Sequence, residues 1–87
     1  MSLSKNYEFR WIEWNIEKVG KHGCDPREVE RVVNNPVRGY PRRDGEKYLV
    51  YGRGQGNRWV RAAYLIDADG TIFVIHAMPV SGRRRPK

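Results

Sequence analysis

The stretch "RWVRAAYLIDADGTIFVIHAM", Arg58–Met78, reads as two strands joined by a tight turn. In its first half Val60, Ala62, Tyr64 and Ile66 fall on one face, while Trp59, Arg61, Ala63 and Leu65 fall on the other. That alternation is the period of a strand. "DADG" (Asp67–Gly70) supplies turn residues. In "TIFVIHAM" the same period places Ile72, Val74, His76 and Met78 together, opposite Phe73, Ile75 and Ala77. Upstream, "EKYLVYGR" (Glu46–Arg53) is a further strand, running into the glycine-rich turn "GRGQGN". Three strands in succession with short turns predict an antiparallel meander.

Before Gly45 the period lengthens. "WNIEKVGKHG" (Trp14–Gly23) reads as a short helix, with Asn15 as N-cap, Ile16 and Val19 on one face, and Gly23 just past the end. A second helix has the clearest start in the chain. Asp25 caps it, Pro26 takes the first helical position, and Glu28 completes a capping box. Val29, Val32 and Val33 form its apolar stripe, and "NNP" (Asn34–Pro36) ends it. "YEFRWIEW" begins as a short strand, with Tyr7, Phe9 and Trp11 on one face. The class is α+β: two N-terminal helices packed on one face of an antiparallel three- to four-stranded sheet. A single domain over residues 1–82 is expected, followed by a basic tail at 83–87.

Composition narrows the partners. The 87 residues are enough for one small core, and a hydrophobic fraction of 39% with three tryptophans marks a folded chain. No apolar run reaches membrane-spanning length and the N-terminal residues lack a signal-peptide apolar region, so no membrane partner is expected. Cys24 is the sole cysteine, which fits a reducing, cytoplasmic setting. The formal charge is +7, and without Arg83, Arg84, Arg85 and Lys87 the chain holds 13 basic against 10 acidic residues. Such a chain favours a polyanion, nucleic acid first and an acidic protein second. The tail can also be read as a solubility device.

Motifs for nucleotide phosphate loops and for His/Cys metal sites are missing, and Ser2, Ser4 and Ser81 lie near the termini. No cofactor or metal is expected. What remains is Arg61, Tyr64 and His76 on apolar strands, Glu46, Lys47 and Arg53 at the ends of the first strand, and the pair Lys21–His22. Cleavage of a phosphodiester through its 2′-hydroxyl needs a base, a cation and an acid. Histidine serves either proton transfer and arginine suits the phosphate. Each residue also has a plain structural reading: His76 as a core residue, Lys21 and His22 as cations at a helix C-terminus, Arg61 as an edge ion pair.

The order "WNIEKVGKHG", "EVERVVNNP", "GEKYLVYGR", "RWVRAAYL" and "GTIFVIHA" resembles the BrnT family of ribonuclease toxins, which have a RelE-like fold. The resemblance runs from about Phe9 to Ala77. It implies a toxin of a type II toxin–antitoxin system: a metal-independent endoribonuclease acting on RNA, in some relatives at the ribosome, and neutralised by a cognate antitoxin. It nominates Lys21 and His22 from Lys-His-Gly, Glu46 from Gly-Glu and Arg53 from Gly-Arg. The catalytic set expected is then His22, Glu46, Arg53 and His76, and the substrate-binding set Lys21, Arg61, Tyr64, Arg83 and Arg84. Where the family strand ends in an Ile-Ser-Ala-Arg-like run, this chain has "IHAM", with His76 for the serine and Met78 for the arginine. His76 with Arg83 or Arg84 can compensate for that change; the alternative is a catalytically inactive module that binds RNA or an antitoxin-like protein. The family's C-terminal helix is expected to be short or missing, and homodimer formation is left open.

Overall fold

A computed structural model describes residues 7–80. Helices α1 (Glu13–Gly20) and α2 (Pro26–Asn34) precede strands β1 (Arg42–Asp44), β2 (Lys47–Arg53), β3 (Trp59–Ile66) and β4 (Ile72–Pro79). A 3₁₀ turn, Gln55–Asn57, links β2 to β3. The sheet has the order β1-β2-β3-β4, every neighbour antiparallel, so the α+β expectation holds with four strands. Strand β1 completes the set of four. The C-terminal helix, expected to be short or missing, and the basic tail both fall outside the described residues.

The core lies on one face of the sheet. Val19 of α1 and Val29, Val32 and Val33 of α2 bury against Val50, Val60, Ala62, Tyr64, Ile72 and Val74. Tyr64 is only 2% exposed and stacks on Tyr48 at 5.5 Å. Burial, with Tyr7 and Tyr48 nearby, pushes its phenol up to about 12. Gly52 is closely covered by α2: a Cβ there would press on the Asn35 carbonyl and Val32 at 3.2 Å.

Three local readings are corrected. Asn15 is the third residue of α1 rather than its N-cap. From there its Oδ1 accepts the Ile12 N–H at 2.7 Å, and its Nδ2 donates to the carbonyls of Arg10 and Val74, each at 3.1 Å. A fully buried amide needs several partners at once, and only this position reaches both the helix start and β4. The strand expected at Tyr7–Trp11 is a single parallel bridge, Phe9 to Ile72. The chain leaves β4 for α1 at once, with the Trp11 indole N–H donating to Glu30 at 2.8 Å.

The third correction decides the site. Tyr64 pairs with Val74 but Ala63 pairs with His76, so Ile75 is an extra residue, a β-bulge. The bulge reverses the alternation beyond it. Ile72 and Val74 face the helices, as does Ala77, whereas His76 and Met78 turn to the opposite face with Ala63 and Arg61.

An ion pair with a buried carboxylate and a partly exposed guanidinium joins these elements. Glu28, its side chain fully buried, receives Arg58 in a fork: Nε to Oε2 at 2.9 Å and Nη2 to Oε1 at 2.8 Å. The Gln55 N–H adds 2.7 Å to Oε2, and Arg58 Nη2 also donates to the Gly23 carbonyl at 2.9 Å. The capping box expected of Glu28 is thus half made. Asp25 Oδ1 accepts the Glu28 N–H at 2.9 Å, but the Glu28 carboxylate is claimed by Arg58. Burial alone would raise that carboxyl; the Arg58 guanidinium and the Gln55 N–H outweigh it and hold it below its ordinary value.

Removing one partner leaves a buried charge uncompensated. Arg58→Ala is expected to destabilise the fold by about 3 kcal/mol, read from denaturant midpoints. Gly54→Ala acts on the same carboxylate, because its Cβ would fall on Glu28 Oε2 and crowd Val60 at 2.7 Å. Since the folded Glu28 value is depressed, its stabilisation is present above the ordinary 4.5 and lost as pH falls through the folded value. As pH falls below 4.5, the wild-type midpoint should therefore drop more than that of Arg58→Ala does.

Candidate functional site

Pairing across the strands lays out the face turned away from the helices, because directly opposed residues share a side. Arg53 stands opposite Trp59. The next row holds Tyr51, Arg61 and Met78, and the next Arg42, Leu49, Ala63 and His76. Asp44 and Lys47 form the last pair on the β1–β2 side. Side-chain contacts follow the same rows. Arg53 lies 4.0 Å over the Trp59 ring, Arg61 Nη2 donates to Met78 Sδ at 3.2 Å, and Lys47 Nζ is 4.0 Å from Asp44.

A cleft of about 310 Å³ opens on this face. Leu49, Ala63 and Ile75 form its apolar floor, and Asp44, Lys47, Arg61 and His76 supply its polar groups. His76 enters the cleft only because of the Ile75 bulge.

The second histidine arrives from α1. Gly23 adopts φ +80°, and the Gly23 and Cys24 N–H groups donate to the Gly20 and Val19 carbonyls at 3.0 and 3.1 Å. This Schellman pair ends the helix and presents Lys21 and His22 outward. His22 meets His76 edge to face, ring centroids 5.3 Å apart. Burial lowers the His76 pKa, with the charge of His22 and then of Arg61, Lys18 and Lys47 acting the same way. At neutral pH its imidazole is thereby favoured in the neutral, proton-accepting form.

The expected residues divide. His76 and Arg61 line the cleft, and His22 reaches it through its contact with the His76 ring. Lys21 lines a separate groove of about 200 Å³ with Trp14, Glu17 and Lys18. Glu46 is exposed in the β1–β2 turn and is outside the cleft lining, where Asp44 stands as the carboxylate. Arg53 belongs to the far end of the face, where it also donates to the Asn57 carbonyl at 2.8 Å. Tyr64 lies on the helix side, buried, so it is removed from any surface role. Arg83 and Arg84 are outside the described residues.

Two contributors were not singled out from the sequence as site residues. Asp44 could have been found by extending alternation back across the Gly45–Glu46 turn, but a three-residue strand gives little pattern. Lys47 was placed only as a neighbour of the strand end. Met78 also gains a reason: an arginine there would set a second guanidinium beside Arg61, whereas the thioether accepts its hydrogen bond. Among the described residues no group of three or more His, Cys, Asp or Glu is placed to hold a metal ion, and no helix is long and apolar enough to cross a membrane.

The chain belongs to the family described as Domain of unknown function (DUF4258), whose match covers residues 16–79 and so runs from within α1 to the end of β4. Comparison with curated proteins and with solved structures gave no match.

If His22 helps to depress His76, removing its charge must move His76 upward. In His22→Asn the His76 midpoint, followed by NMR of the imidazole protons, should rise towards 6.5. An unmoved midpoint means that the rings do not sense each other.

Proposed function

We propose that this chain is a metal-independent endoribonuclease of the BrnT type, the toxin of a type II toxin–antitoxin system. The observation that carries the reading is the meeting of His22 and His76 on a cationic sheet face. His76, kept neutral by burial, takes the proton of a ribose 2′-hydroxyl. The freed oxygen attacks the adjacent phosphorus, and the bond from phosphorus to the 5′-oxygen breaks. His22, exposed at the end of α1, is the group placed to give a proton to that leaving oxygen. The products are a 2′,3′-cyclic phosphate and a free 5′-hydroxyl. Lys47 and Arg61 offset the charge that builds on the phosphate oxygens. Under this reading the setting is cytoplasmic and an acidic antitoxin surface covers the same face.

One observation favours a second reading, a binding module without catalysis. The two imidazoles touch, so a phosphate can lie between them only if His22 swings away. His22 sits in an exposed turn after α1, where its side chain can rotate without disturbing the core.

Total RNA incubated with the purified chain in excess chelator separates the two. Shortening of the RNA, reduced about 10²-fold by His76→Ala in a protein that keeps its circular dichroism, supports the nuclease. Intact RNA that is nevertheless bound, with an affinity that drops steeply with salt, supports the binder. For the nuclease, the acid limb of kcat/KM should fall below pH 6.5, because the base it reports is depressed.

A further inference from the structure

Among the described residues, charge divides between the two sides of the molecule. On the helices, Glu13, Glu17 and Glu30 balance Lys18, Arg27 and Arg31. On the opposite sheet face, Arg42, Lys47, Arg53 and Arg61 meet Asp44 alone. The same face carries aromatic rings on its two central strands. Tyr51 of β2 and Trp59 of β3 are diagonal neighbours, each half-buried and so firmly seated, and each borders an exposed arginine. The Trp59 ring is backed by Arg53 at 4.0 Å, and Tyr51 is held by the Tyr40 ring at 5.1 Å. Tyr40, Tyr51, Arg53 and Trp59 lie outside the histidine cleft, and Arg61, which lines it and stands opposite Tyr51, joins the two regions.

Ordered aromatic faces interleaved with cations match one ligand chemistry best. Bases whose flat surfaces are exposed can stack on the rings or on the guanidinium planes while the arginines take the phosphates. A duplex hides those base surfaces and offers only its backbone. We infer that the Tyr51–Trp59 region is a base-stacking platform for single-stranded RNA, which it holds across β2 and β3 so that the strand continues over Arg61 into the His76 cleft. The choice of RNA rests on the nuclease reading above; the stacking surface does not. The platform makes the substrate class unpaired RNA and places the binding determinants apart from the groups that transfer protons. Trp59 and Tyr51 are then positioning residues, and their loss weakens binding more than it slows the chemical step.

The test uses the full chain carrying His76→Ala, so that RNA survives, and a fluorescent RNA twelve-mer offered single-stranded or annealed to its complement. The single strand should bind at least about tenfold more tightly than the duplex. Trp59→Leu should weaken single-strand binding about tenfold with little change in its salt slope, and Tyr51→Leu should do the same. Arg53→Gln should instead lower that slope by about 0.7. Two aromatic variants are needed because Trp59 is half-buried; circular dichroism confirms the fold of each. Equal affinity for duplex and single strand, or unchanged binding by both folded aromatic variants, overturns the platform. Cleavage by the parent chain is scored separately. Single-strand preference that depends on Trp59, without cleavage, keeps the platform and removes the nuclease. Cleavage with KM unaffected in both aromatic variants does the reverse.

Discussion

The carboxylate of Glu28 is the point on which the rest of this structure depends. It sits in the first turn of α2, without solvent contact, and its partners Arg58 and Gln55 come from elsewhere in the chain. Arg58 at the start of β3 fills both its oxygens, the Gln55 amide closes the β2–β3 connection onto it, and Arg58 also holds the Gly23 carbonyl behind α1. One ionic centre therefore fixes where α1 ends relative to where β3 begins. Those are the two places that deliver His22 and the open sheet face. The neighbouring Cys24 thiol is raised to about 11 by burial, then by the charge of Glu28, which leaves it a small apolar filler rather than a nucleophile.

The second constraint is one of parity. Without the extra residue at Ile75, strict alternation would send His76 into the core beneath the helices, where Val74 and Ile72 lie. The bulge brings His76 out beside Arg61 and Ala63 and returns Ala77 to the core. Two devices of different kinds, a helix terminus and an irregular strand, thus converge on one pair of imidazoles. Neither histidine is held by a hydrogen bond within the pair; their meeting follows from backbone geometry.

Much of the fold was legible because it rests on local signals. The Asp25-Pro26 start, the valine stripe of α2, the Asp67–Gly70 turn and the glycine after α1 each act within a few residues, and each is found where the sequence puts it. What failed needed information from across the chain. Asn15 looked like a cap because its type favours one, yet its position is set by the Val74 carbonyl 59 residues away. Glu28 looked like half of a capping box until Arg58, 30 residues on, took its oxygens. The faces of β4 were misread after Val74 because a bulge leaves no mark on an apolar run. At the site, alternation named Arg61 and the histidines stood out as residue types, while Tyr64 was assigned to a surface that the fold buries and Asp44 was missed in a strand too short to show a period.

The two edges of the sheet are treated differently, and this bears on how copies of the chain can associate. Along β4, the segment around Phe9 and the Asn15 amide take up backbone groups that an incoming strand would need. Along β1 the free edge is three residues long and presents Arg42, Arg43 and Asp44, all exposed. Short, charged edges resist strand addition. Growth of the sheet from chain to chain is thus obstructed on one side and opposed by like charge on the other. Among the described residues, then, neither edge offers another copy a long run of unpaired, uncharged backbone on which to extend the sheet.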